Sequence, residues 1–289
     1  MGEIIIGSEA VATGYVTRAQ LRWNYRPMYT DVYMTRECVP SIRDRALGAW
    51  LWSKRRAVVA GRAAAALHGA KWIDDAAPVE LIWDNNHSPK GVITRRERIS
   101  ADEICQFPNA LPVATAPRTA LDLGRYLPFD AAVAHLDALA RATRVTAPEV
   151  LALTHRYAGA RGVRCCRTAV DMMDAGAESP KETWLRLMLI RSGYERPQTQ
   201  IALFEFGEPA AYLDMGWPEI RVAVEYDGDH RRSDRATYVK GIRRDEFIAR
   251  MDWLNVRVVK EDREIDILAR VRDAWERREQ EGMVVKTAR

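Results

Sequence analysis

The chain has 289 residues, 47% hydrophobic and 29% charged, with a formal net charge of +4. That is enough for two domains with buried cores, and it excludes the compositions of disordered, collagen-like and disulfide-scaffold proteins. No apolar run nears the length of a membrane span, and Met1-Gly2-Glu3-Ile4-Ile5-Ile6 lacks a basic n-region and a long apolar stretch, so a cytoplasmic protein is expected.

In chain order, Thr17 can cap a helix that begins Arg18-Ala19-Gln20-Leu21-Arg22-Trp23. Tyr29 to Met34 alternates and predicts a β segment. With Arg18, Arg22 and Arg26 close by, residues 12–36 have the pattern of a winged-helix-like unit whose arginines are candidate DNA contacts. Residues 44–53 predict an apolar-periodic helix, and Val58 to Gly69 a turn into an alanine-rich helix ended by Gly69. His68 sits at that end, where the helix dipole favours a cation and a structural role is expected. Val79–Trp83 and Val92–Arg96 predict strands. Arg95, Arg96 and Arg98 form a basic cluster at the second, a candidate phosphate contact or a charged strand edge. Helices are expected from Pro117, over 130–144, 147–157 and 162–175, so the first part of the chain is expected to be mostly helical. The four cysteines (38, 105, 165 and 166) form no Cys-x-x-Cys pair, which predicts reduced structural thiols rather than a zinc site.

Ala175-Gly176-Ala177-Glu178-Ser179-Pro180 marks a boundary, dividing the chain into 1–175 and 176–289. Ser179 suits an N-cap, Pro180 the first helical position, and Glu182 a capping box. Strands are predicted near 199–206, 211–215 and 221–227, a helix over 238–251, a strand at 256–259 and a helix over 264–278. The order α-β-β-β-α-β-α predicts an α/β sandwich. Residues 176–289 carry 21 basic and 22 acidic side chains against 23 and 18 in the remainder. The basic excess therefore lies in the first part, a hint of nucleic-acid contact that a solvated surface explains equally well.

The strongest chemical signal is Glu225-Tyr226-Asp227-Gly228, eleven residues after Asp214. Glu225 and Asp227 are two apart on a predicted strand and share a face. Three carboxylates converging at a sheet edge repel one another unless a hard cation neutralises them, and oxygen ligands suit Mg²⁺ or Mn²⁺. His230 is a candidate base or phosphate ligand. Strand-end carboxylates in an Asp-Gly turn are also commonly just solvated.

Residues 176–262 resemble the PD-(D/E)XK nuclease superfamily, in particular the branch related to very-short-patch-repair endonucleases. The matching residues are Ser179-Pro180-Lys181-Glu182 with Arg186, then Pro197, Gln200, Asp214, Trp217, Glu225-Tyr226-Asp227-Gly228, His230, Tyr238, Arg243, Arg244 and Trp253. The resemblance implies a restriction-endonuclease-like sandwich with Asp214 as principal metal ligand, Glu225 as the second and Glu182 as a contributed carboxylate. It also implies Arg243 and Arg244 as phosphate or transition-state contacts, with pairing to Asp227 or Glu225 as their structural alternative. Asp227 stands where many members carry a catalytic lysine, and Gly241 where the branch implies an acidic residue. The first part resembles, more loosely, AbiEi-type antitoxin proteins through Thr17 to Leu21, Gly61 to Gly69 and Arg118 to Leu123.

Two functions are therefore expected in competition. One is a metal-dependent DNA endonuclease acting in repair or defence, and the other a non-catalytic DNA-binding regulator or antitoxin with a degenerate nuclease fold. DNA is the expected partner, a homodimer is allowed for, and no membrane is involved.

Overall fold

A computed structural model describes residues 2–85, 87–228 and 235–282. The chain is a mixed α/β protein with several sheets, and it divides into two compact units, 1–175 and 176–289.

The first unit opens with β1 (Ile4–Ile6), α1 (Gly7–Ala12), α2 (Arg18–Asn24), β2 (Tyr25–Tyr29) and β3 (Val32–Thr35). Thr17 closes a capping box with Gln20, which fixes where α2 begins. Tyr29–Met34, expected as one β segment, is split by a hairpin turn. Asp31 adopts φ 61°, which Asp tolerates, and β2 returns antiparallel on β3 in a sheet of order β1-β3-β2.

Next come α3 (Ile42–Trp52), β4 (Val58–Ala60), α4 (Gly61–Leu67), β5 (Val79–Ile82), β6 (Val92–Arg95), β7 (Ile104–Phe107) and β8 (Leu111–Ala114). Their five strands form a sheet of order β6-β5-β4-β8-β7. This corrects the mostly helical expectation for the first part: β4, β7 and β8 have only three or four residues each, too short for alternation to show. The small side chains of α4 (Ala63, Ala64, Ala66) pack with Val59, Leu81 and Val113 of the sheet and Ala49 and Trp50 of α3. Gly61 must be glycine, because its φ is +55° and a Cβ would stand 1.8 Å from Glu80 Oε2, the carboxylate that accepts the Arg62 amide. His68 caps α4, bonds the Ala114 carbonyl through Nε2 at 2.8 Å and meets the edge of Phe107, which is a structural role.

The unit ends in α5 (Ala116–Tyr126), α6 (Phe129–Thr143), α7 (Ala147–Arg156) and α8 (Val163–Asp171). Leu121, Leu136, Leu139, Val150, Cys166 and Val170 are their buried faces.

The second unit comprises α9 (Pro180–Arg191), β9 (Gln198–Glu205), β10 (Glu208–Trp217), β11 (Val222–Tyr226), α10 (Arg235–Arg250), β12 (Leu254–Val258) and α11 (Glu264–Gln280). The sheet order is β12-β11-β10-β9. β9, β10 and β11 run antiparallel, and β12 runs parallel to β11 after the α10 crossover. One core joins Met215, Trp217, Val222, Val224, Val256 and Val258 to Leu185 and Leu189 of α9 and Ile267 and Val271 of α11. A second joins Ala223 and Leu213 to Phe247 and Ile248 of α10. Each such Val, Leu, Ile, Met or Phe side chain, fully buried, contributes roughly 1.5–3 kcal/mol. β10 runs past the predicted 211–215 to Trp217, whose indole N–H donates to the Glu195 carbonyl at 3.0 Å.

Candidate functional site

The register of β10 on β11 pairs Met215 with Val224 and Gly216 with Ala223, which brings Asp214, inside β10, beside Glu225, the penultimate residue of β11, just past the last paired residues. Gly216 permits this approach: a Cβ there would lie 2.4 Å from the Val222 carbonyl oxygen. Asp214 Oδ2 accepts the Tyr226 amide at 2.9 Å. Glu225 is buried, 4% exposed, so its charge must be met inside the protein.

Arg244 meets it. Its guanidinium reaches down from α10 and binds both Glu225 oxygens, with Nη1 to Oε2 at 3.0 Å and Nη2 to Oε1. Nη2 also donates to the Tyr212 carbonyl. The hydrogen bonds that Arg244 donates to Glu225 hold its pKa above the ordinary value against burial, and the charges of Glu225, Asp214 and Asp245 add to the effect. Asn255 on β12 donates its amide to Glu225 Oε2, while its own Oδ1 is buried without a hydrogen-bond partner. Asp227 continues β11 by donating its amide to the Val258 carbonyl at 2.7 Å, and its carboxylate pairs with Arg257, which also holds Asp245 at 2.8 Å.

Asp214, Glu225 and Arg244 thus come together, with Asp227 one pairing step further along. Glu182 works at the start of α9. Its oxygens accept the Ser179 hydroxyl at 2.8 Å and the Glu178 amide at 2.8 Å, in place of the Ser179 amide that a capping box would use. Arg243 is exposed and lines, with Lys240, Arg244, Phe247 and Arg250, a cavity of 390 Å³ beside α10. His230 lies outside the described residues. Among the described residues, no atom lies within 4 Å of a Cβ built on Gly241.

Among the described residues, no group of three or more His, Cys, Asp or Glu is gathered to hold a metal ion. The donors that do meet, Asp214 and Glu225 with the partnerless Asn255 Oδ1 nearby, are hard oxygens, which in kind fit Mg²⁺ or Mn²⁺. Asn255, Arg257 and Asp245 escape the sequence reading. Asn255 and Arg257 alternate with Val256 and Val258 on β12, and that polar face was the available signal.

In the first unit, Arg18 and Arg22 are exposed on α2, a helix with no buried residue, next to Trp23, which is 74% exposed. Arg26 is spent on the Cys38 carbonyl. Arg95 pairs with buried Glu80 at 3.2 Å, and exposed Arg96 pairs with Asp84. No described helix is long and apolar enough to cross a membrane.

No family model matches the chain, and no solved structure matches it significantly. Two uncharacterized proteins of Mycobacterium tuberculosis, from strains CDC 1551 / Oshkosh and ATCC 25618 / H37Rv, are each 30% identical to it over 151 residues. The match covers 52% of this chain and 56% of each relative, so the chain spans about half the length of the curated relatives it matches.

Proposed function

We propose that this chain is a divalent-metal-dependent DNA endonuclease, with a winged-helix-like DNA-contacting start and a PD-(D/E)XK-like sandwich as its hydrolytic unit. The observation that carries the reading is the pair Asp214 and Glu225, side by side on β10 and β11 within the field of one arginine. The α-β-β-β-α-β-α order, with only the last strand pair parallel, supports the same reading. So does the exposed face of α2, whose Arg18 and Arg22 suit phosphate contacts.

Asp214 and Glu225 would hold the ion, which when bound supplies Lewis acidity and a water of lowered pKa. Glu225 Oε2 accepts from both Arg244 and Asn255, whereas Oε1 accepts from Arg244 alone and keeps a lone pair through which it could hold an ion. Arg244 and neighbouring Arg243 would then be the cations nearest the anionic phosphoryl group. Asn255 keeps Glu225 oriented through its amide.

A second reading, a DNA-binding regulator with a non-catalytic nuclease fold, is favoured by one observation: Arg244 already neutralises Glu225. Cleavage of plasmid, linear, mismatched and branched DNA with Mg²⁺ or Mn²⁺ separates the two. The endonuclease reading expects cleavage that Asp214→Ala and Glu225→Gln each abolish, with duplex binding retained. It also expects Arg18→Gln/Arg22→Gln to weaken duplex binding and flatten its salt dependence. No cleavage of any substrate, with salt-sensitive binding intact in the two acidic-residue variants, would leave the regulator.

A further inference from the structure

In the first unit a cavity of 590 Å³ opens between β6, the start of the following loop, α5 and the α7–α8 connection. Its lining includes five arginines and a single carboxylate, Glu97. That carboxylate is already consumed. Arg125 grips both its oxygens at 2.9 and 3.0 Å, Arg118 donates to it at 3.1 Å, and the Tyr126 hydroxyl bonds it as well. The guanidiniums of Arg95 and Arg125 lie over the Tyr126 ring, 3.5 and 4.7 Å from its centroid. Both are recessed, with side chains 19% and 3% exposed. At the rim stand Arg98 and Arg161, exposed and with no carboxylate or hydrogen-bond partner for either guanidinium among the described residues.

Structural salt bridges explain the floor of this cavity but not its rim. The other lining arginines are paired, Arg95 with Glu80, Arg96 with Asp84 and Arg125 with Glu97, so Arg98 and Arg161 carry the charge of this hollow that a bound polyanion would neutralise. The volume falls within the usual range for small-molecule sites, about 300–1,000 Å³. Planar N–H forks are the donors best matched to phosphate oxygens. The recessed position of Arg95 and Arg125 favours a compact ligand over the rigid backbone of a duplex.

We propose that this cavity binds a small phosphorylated molecule of nucleotide size, with Arg98 and Arg161 holding its phosphates against the Arg95–Tyr126–Arg125 stack. The site is independent of the acidic pair in the second unit and of any nuclease activity.

Titration calorimetry of the full chain in low-salt, phosphate-free buffer tests this, with inorganic pyrophosphate and ADP as probes. Expected is one site per chain for both probes, tighter for ADP. Arg98→Gln and Arg161→Gln singly should each weaken binding at least tenfold, while Arg164→Gln, an exposed arginine outside the cavity, leaves it unchanged. Melting temperatures of the variants without ligand show whether each is folded, and either single variant suffices for the comparison. The proposal is overturned if neither probe binds at millimolar concentration, or if folded Arg98→Gln and Arg161→Gln bind as the parent does. It is equally overturned if an unphosphorylated single-stranded oligonucleotide displaces pyrophosphate, because the cavity would then be a contact for a polymer backbone.

Discussion

Arg118 shows how much of the first unit's organisation hangs on single residues. Its guanidinium is fully buried yet reaches Asp122 at 3.2 Å, Glu103 at 2.8 Å, the Tyr157 hydroxyl at 3.0 Å and Glu97 at 3.1 Å. Arg118→Met would fill similar space but leave buried Asp122 with only Arg125, 3.7 Å away, while Glu97 keeps Arg125 and Glu103 keeps Arg156. We expect a loss of about 3–5 kcal/mol, read as a lower denaturant midpoint, because breaking a buried network leaves uncompensated charge. His135 makes a prediction in pH. Burial, with the Arg62 charge adding, pulls its pKa from 6.5 down to about 4. The folded chain keeps the ring neutral while the unfolded chain protonates it at the ordinary value. Its contribution is therefore complete above pH 6.5 and drains away as pH falls toward 4. His135→Gln cannot charge, so melting temperature against pH should fall less steeply over that window, by the equivalent of up to ~3 kcal/mol. A variant curve parallel to the parent's would show that the ring does not titrate this way.

At the scale of elements, α10 joins packing to chemistry. Phe247 and Ile248 anchor it on the sheet, and Arg244, one turn earlier, reaches Glu225. Gly241 weakens this helix with no spatial reason among the described residues, since none of their atoms lies within 4 Å of a Cβ there and its φ is not positive. Gly241→Ala should stabilise the protein by roughly 0.5–1 kcal/mol, visible as a higher melting temperature. Elements of this length are legible in sequence. The α9 cap, the α10 span and the β11 alternation appear as patterns, because 3.6- and 2-residue periods need only a few turns or residues to declare themselves. Strands β4, β7 and β8 are not, because three or four residues hold no period, and the short connection at Thr30-Asp31 hides a hairpin inside one alternating stretch.

The whole molecule is two units that divide at Ala175 and Gly176, each with its own cores. A fragment of residues 176–289 is accordingly expected to unfold cooperatively by itself, followed by circular dichroism in urea. A broad transition without a baseline would show that the second unit depends on the first.

By itself the sequence determined where this protein is punctuated and which residues carry charge. The Ser179-Pro180 start, the position of the division and the acidic residues 214, 225 and 227 follow from local capping chemistry and spacing, which act within a few residues. Only the tertiary structure decided what each charge faces. Glu225 meets Arg244 nineteen residues on and Asn255 thirty residues on, while Asp227 turns to Arg257. Likewise Arg95 and Arg125 converge on Tyr126, where the sequence showed only a basic strand edge. Such pairings arise from strand register and helix crossover, and long-range contacts leave no periodic trace in the chain that makes them.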